Sequence, residues 1–287
     1  GYSVCGALTV AVSAAEKPAF AEASEGIPRG DGRDGEGPVV VEGDRARELF
    51  PALDAVEGAL YAPTGARVDG RRLAAALQTA GEEHGLDVRI ASADRIEVES
   101  GRVTTVVVNG ERLEAGHVVI AGGAWSNTFG EQLGVRLPVG PMRGQIAHLD
   151  LGETDTSDWT IVSGFRGHYL VPWDDNRVVA GATREMDAGY QVETTVEGIL
   201  EVLSEAIRVA PGLRGASVKE FRVGLRPATS DGFPIIGAIP NAPNVHVVTG
   251  HGPMGLHLGP YSGKVVADTI LGHDDATGGA FGVERFA

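Results

Sequence analysis

The chain has a single cysteine, Cys5, in 287 residues, so no disulfide can form within it, which points to a reducing compartment or to indifference. Lysine is nearly missing too: Lys17, Lys219 and Lys264 are the only lysines among 24 basic residues. Against 39 acidic residues that leaves a formal charge of −15, which argues against nucleic acid or an anionic membrane surface as a partner. The acidic, lysine-poor balance fits a high-salt cytoplasm and a GC-rich genome equally well. No apolar run approaches the roughly 18 residues of a membrane span, and no charged-then-apolar leader opens the chain. The expected location is therefore the cytoplasm. A G-x-S-x-G nucleophile elbow is missing, and His246, His251 and His257 lack the carboxylate or cysteine set that would complete a metal site, so no metal is expected.

What is present is enough apolar residue, 43%, to bury a real core in one or two domains. The first residue is Gly1 rather than Met, which suggests a processed chain or a piece of a longer one. Ser3–Val12 alternates as a strand does, and Ser13 is placed to cap a short helix reaching Ala23. Gly26–Pro38 is a polar loop containing a decoy: Gly30, Gly32 and Gly35 spell GxGxxG, but no apolar strand precedes them and an acidic lining repels phosphate. Asp69 is expected to cap a helix from Gly70 to about His84, with Leu73, Ala76, Leu77 and Ala80 on one face and Gly85 as its stop. A strand is expected near Asp87–Ile90. After it, Ile96–Val98, Val103–Val108 and Arg112–Leu113 form a β-meander, turning at Ser100–Gly101 and Asn109–Gly110. His117–Ala121 then reads as a short buried strand running into Gly122–Gly123–Ala124–Trp125.

The middle of the chain has a different rhythm. Arg136–Leu149, Thr160–Ser163, His168–Pro172 and Arg177–Ala182 suit antiparallel strands, with a hairpin turn at Asp174–Asn176. Thr195–Ala210 suits an amphipathic helix whose face is Val196, Ile199, Leu200, Leu203 and Ile207, stopped by Pro211–Gly212. The expected fold is α/β plus α+β, two interleaved regions with crossings near residues 58, 137 and 222.

The most informative stretch is Asn244–Leu271, where a strand pattern runs into a glycine-rich turn and then a helix pattern. Gly250, Gly252 and Gly255 again spell GxGxxG, in which missing side chains let backbone N–H groups and a helix N-terminus approach an electron-rich ligand. A nucleotide-binding βαβ unit needs a further strand with an acidic residue about 20 residues on, whereas beyond Leu271 there is only a short polar tail. This loop is therefore expected to serve a cofactor held mainly elsewhere.

Four blocks in order, HVVIAGGAWSNTFGEQLGVRLPVGPMRGQ, GHYLVPWDDNRVVAGAT, FRVGLRPATSDGFPIIG and VVTGHGPMGLHLGPYSGKVVAD, resemble the D-amino acid oxidase and glycine oxidase superfamily of FAD enzymes, from about residue 1 to 272. The resemblance implies FAD as cofactor and oxidation of a small amine or amino acid at its α-carbon, with hydride passing to the flavin N5. It implies a glutathione-reductase-like FAD-binding domain over 58–136 and 223–287, interleaved with an antiparallel-sheet substrate domain over 1–57 and 137–222.

Residue by residue, Arg226 matches the family's carboxylate-binding arginine, whose planar fork makes two parallel hydrogen bonds; pairing to a structural acid is the alternative. Tyr169 matches a tyrosine lining the substrate pocket, with a plain core role as its alternative. By the same resemblance the loop Gly250, His251, Gly252, Pro253, Met254, Gly255 and Leu256 is expected to face the flavin pyrimidine edge, where dipoles stabilise the charge that builds on reduction. Gly122, Gly123 and Ala124 match the strand end passing the diphosphate and ribose, and Ser92–Asp94, with Asp94 as candidate ligand, lies where the family contacts adenine. The resemblance also implies that Asp231–Gly232 shapes a turn near the flavin, and Arg143 matches a basic family position with a structural role equally open. Relatives acting on glycine can carry a second arginine where Pro253 stands, which favours a secondary or bulkier amine.

One departure stands out: the family's opening strand, GxGxxG loop and helix, which bind the ADP half of FAD, have no counterpart in this chain. A missing N-terminal segment or a partner chain is expected to supply that grip. The alternatives are a cofactor-free inactive fragment and a subunit of a multi-chain amine dehydrogenase.

Overall fold

The computed structural model describes residues 1–32, 37–273 and 279–286, so Gly35 of the Gly30–Gly35 decoy lies outside the described residues. The chain divides into two compact units. The first comprises Gly1–Ala76, Gly144–Arg184 and Val192–Gly224; the second comprises Leu77–Arg143, Glu185–Gln191 and Leu225–Ala287.

At the start of the first unit the single strand expected over Ser3–Val12 is two, β1 (Tyr2–Val4) and β2 (Ala7–Ala11). Gly6 separates them with φ 75°, a left-handed bend that lets each join a different sheet. Ser13 makes no capping bond with its side chain. Glu16 closes the turn instead, accepting from Val12 N at 2.7 Å and from Arg208 at 2.9 Å, and α1 (Lys17–Ala23) comes next. The elements β3 (Val39–Val41) and α2 (Gly43–Leu49) had no clear sequence signal. Next, β4 (Gly58–Ala62) pairs with both β2 and β3, and β5 (Ala66–Val68) pairs with β1. These pairings keep residues 58–76 in the first unit, past the expected crossing at 58.

The helix α3 (Gly70–Glu83) starts where Asp69 accepts from the N–H groups of Arg71 and Arg72, and it ends before Gly85, whose φ is 94°. Its expected apolar face is not buried; Leu77 is 54% exposed. The strand expected over Asp87–Ile90 does not form, and Ile90 is fully exposed. An extended segment becomes a strand only through ladder bonds to a neighbour, and among the described residues none runs beside it. The meander is β6 (Ala93–Glu99), β7 (Arg102–Val108) and β8 (Glu111–Glu114), with β9 (Val118–Ile120) after it.

The chain continues through β10 (Val139–Asp150), β11 (Ile161–Gly164), β12 (Tyr169–Trp173) and β13 (Arg177–Gly181) to α4 (Val196–Val209). Thr195 caps α4, accepting from Gly198 N. The helix exists as expected, but only part of the expected face turns inward: Leu203 packs against the core and Ile199 and Ile207 are half-buried, Val196 and Leu200 are 75% and 59% exposed, and the buried residues are Gly198, Val202, Ala206 and Val209. The cause is Gln145, which is fully buried, accepts from Thr195 N and donates to Thr195 Oγ1, each at 2.9 Å. A Cβ on Gly198 would stand 2.2 Å from Gln145 Nε2, so glycine is what allows the helix to lie this close. After β14 (Ser217–Thr229) come β15 (Ile235–Ile239), β16 (Ala242–Thr249) and α5 (Gly255–Ile270).

The fold is mixed α/β with several sheets. One has eight strands in the order β14-β10-β13-β12-β11-β2-β4-β3, largely antiparallel, over a core that includes Leu8, Phe50, Val162 and Val202. In the second unit β15, β16 and β9 form a sheet in that order, with β16 and β9 parallel, and the meander is another. Buried Asn244 joins the two, donating to Val103 O and Gly116 O and accepting from Val103 N. Among the described residues no helix is long and apolar enough to cross a membrane.

Candidate active site

Three chain segments of the second unit converge at one end of the sheet: the exit of β9, the exit of β16 and the end of β14. Gly123, with φ 55°, turns the chain after β9, and its carbonyl accepts from Thr249 Oγ1 at 2.9 Å. Ser126 Oγ lies 2.9 Å from the same carbonyl and 3.0 Å from Thr249 Oγ1, and both hydroxyl residues are buried. These bonds fasten Gly122–Ala124 to the loop that begins at Gly250. On the other flank the backbone of Ala228 bridges His251, and a Cβ on Gly250 would meet Thr229 Cγ2 at 2.6 Å. Arg226 sits on β14 two residues before that bridge, half-buried.

The loop has the build of a cradle. Gly250 and Gly252 take φ 78° and 52°, conformations that side chains disfavour, and the position of a Cβ on Gly252 or on Gly123 has no atom within 4 Å. Past the loop, the sixteen residues of α5 direct the positive end of their dipole at it. Met254 and Leu256 stand 47% and 51% exposed beside it. Open ground, bare backbone and exposed apolar side chains suit a flat ring system with an electron-rich edge.

Over residues 1–269 the chain matches the family described as FAD dependent oxidoreductase, DAO. It belongs to this family. The chain is 37% identical over 227 residues to the uncharacterized oxidoreductase YurR of Bacillus subtilis (strain 168), covering 79% of this chain and 61% of YurR, so it spans less than two-thirds of that relative. Among solved structures, iminodiacetate oxidase (IdaA) from Chelativorans sp. BNC1 matches with a TM-score of 0.87 at 33% identity, over 100% of this chain and 76% of that one. Glycine oxidase from Geobacillus kaustophilus matches at 0.85 and 26%, over 99% and 76%.

As a DAO chain it brings together, within the second unit, Gly122, Gly123, Ala124, Arg226 and the loop Gly250–Leu256. Its His251 is buried, with Nε2 2.9 Å from Ser262 Oγ; burial lowers the pKa of the ring. Other expected residues are engaged elsewhere. Asp94 accepts from Gly110 N, and Ser92 N donates to Asn109, so both are tied to the meander turn. Arg143 donates through Nε to Glu185 at 3.0 Å, a nearly buried ion pair, which is the structural alternative. Tyr169 lies on β12 of the first unit, opposite Gly181 on β13, where a Cβ would meet its ring. Asp231 accepts from Phe233 N and from Arg285, whose guanidinium lowers its pKa to about 2.

Several contributors gave no signal in the sequence. Ser126 and Thr249 are ordinary hydroxyl residues at strand exits, and their mutual bond spans 123 positions. Tyr190 donates to Ala124 O at 2.9 Å and packs its ring 5.3 Å from Trp125. A tyrosine beyond a glycine turn does not announce such a partner.

Proposed function

We propose that this chain supplies the flavin-ring and substrate-binding portion of an FAD-dependent oxidoreductase that oxidises the Cα–N bond of a small amine or of a D- or imino amino acid. The observation that carries the reading is the bridge between Ala228 and His251, which sets the strand of Arg226 beside the glycine loop in one unit. Bound FAD supplies the two-electron acceptor for hydride leaving the α-carbon. Arg226 holds the substrate carboxylate in a two-pronged grip that fixes the direction of the Cα–H bond. The loop amides and the α5 dipole stabilise negative charge at the pyrimidine edge. Tyr169 enters from the resemblance as a second carboxylate donor, and Tyr169→Phe tests it separately. Around Ser92–Asp94 the resemblance has the adenosine portion contacted largely through backbone, which suits Asp94, whose side chain serves the meander turn.

Pro253 at the loop favours a secondary or bulkier amine over glycine. That a neighbour with 33% identity is named an iminodiacetate oxidase supports this preference. In the same reading the ADP half of the cofactor is gripped by polypeptide beyond this chain, an N-terminal segment or a partner subunit. Two features support it: β9 has β16 as its one strand neighbour among the described residues, and Val119 on it is 46% exposed.

The decisive experiment is Arg226→Ala in the flavin-loaded protein with its ADP-binding portion present. Losing hydrogen bonds to a charged group, about 1.5–3 kcal/mol each, should raise KM for carboxylated substrates at least about tenfold with flavin content unchanged. An unchanged KM refutes the assignment.

A further inference from the structure

A cavity of about 550 Å³ opens in the second unit between β15, with the turn before it, and one flank of α5. Phe233, Pro234 and Ile236 form one wall; Leu258 and Val265 on one side of α5, with Met254 just before the helix, form the other. Tyr261 and Phe281 complete the rim, and the Phe233 and Phe281 rings meet edge-on at 6.5 Å. The rim is built rather than incidental. Arg285 donates to Phe233 O at 2.8 Å, to Phe281 O at 3.0 Å and to Asp231 at 2.7 Å, so one guanidinium ties both rim segments together.

Two properties define what fits. In a chain of net charge −15, no Asp, Glu, Lys or Arg among the described residues lines this cavity. An ion entering it would lose hydration with no partner, whereas a neutral ring gains about 25 cal/mol for each Å² of apolar surface buried. The polar lining is His251 with Ser262, buried to 8% and 4% exposure. Ser262 Oγ donates to Leu258 O at 2.9 Å, so it accepts from His251 Nε2–H, and the neutral ring keeps Nδ1 as an acceptor with no bond to any described residue.

We propose that this cavity binds an uncharged planar aromatic molecule carrying one hydrogen-bond donor, at a site that borders the flavin loop through His251 and Met254 and extends beyond it along α5. Its volume is that of a small-molecule pocket, roughly 300–1,000 Å³. Three aromatic rings and a methionine offer stacking and edge contacts to such a ligand.

The test titrates the chain with 2-naphthol, monitored by its fluorescence, alongside 2-naphthoate as the charged analogue. The expected result is saturable one-to-one binding of 2-naphthol, at least about tenfold weaker binding of 2-naphthoate, and nuclear Overhauser contacts from the naphthol ring to Tyr261 and Phe281. Leu258→Trp, or Val265→Trp if the first fails to fold, should fill the space and weaken 2-naphthol by a similar factor. Non-saturable uptake, equal binding of the anion, or full binding by a folded filled variant overturns the proposal. Displacement of 2-naphthol by riboflavin would also overturn it, identifying the cavity as flavin ground and leaving the oxidoreductase reading intact.

Discussion

The hydroxyl of Thr249 donates to the carbonyl of Gly123 across 2.9 Å and 126 positions of sequence, so the exits of β16 and β9 are held as one piece. Thr249→Val keeps the shape and removes the bond. It should cost about 1 kcal/mol, because the half-buried carbonyl is left with Ser126 alone. Denaturant unfolding measures this, and an unchanged midpoint would mean that Ser126 suffices.

Gly198→Ala should run against the usual trend. In a helix interior the change ordinarily gains about 1 kcal/mol. Here the new methyl meets Gln145 Nε2, placed 2.2 Å away, and overpacking of this kind costs about 1–3 kcal/mol. Pairing it with Gln145→Ala should recover part of the clash energy in a double-mutant cycle. Simple additivity would show that the two residues are not in conflict.

His148 gives the first unit an acid sensitivity. Burial, then Arg222 and Arg177, lowers its pKa from 6.5 to about 4, and Arg177 donates to its Nδ1 at 2.6 Å. The unfolded chain therefore binds a proton at higher pH than the folded one does. Stability is unaffected by this group above about pH 6.5 and declines as pH falls from there towards 4, with a slope of about one proton. His148→Gln should flatten the slope in chemical unfolding measured across that window; an equal slope in the variant would count against the assignment.

Asp231 titrates the other way. Its folded pKa of about 2 lies below the ordinary 3.8, so its contribution is complete above 3.8 and fades as pH falls from there through 2. Carboxyl-carbon NMR should show a midpoint near 2 that climbs towards 3.8 in Arg285→Ala. A midpoint that stays put would remove Arg285 as the cause.

The residues whose conformations are locally encoded were legible in the sequence. Ser100–Gly101 and Asn109–Gly110 all take positive φ, between 48° and 81°, as tight hairpin turns require, and Gly250 and Gly252 do so in the glycine loop. The hidden part is tertiary. Helix α4 was visible as a helix, but which side it buries is decided by a glutamine 53 positions earlier than Gly198, and periodicity cannot see that contact. Asp87–Ile90 has a strand's composition, yet a strand is a relation between two chains of backbone. The hydroxyl clasp at Gly123 was invisible because serine and threonine carry no pattern of their own.

The three attachments of Arg285 give residue 285 control over a turn 54 positions away. Any fusion, cut or modification that pulls this guanidinium out of place unlatches the Asp231–Phe233 turn and lets the facing phenyl rings part. The outline of the aromatic hollow is thus governed by a side chain that does not line it.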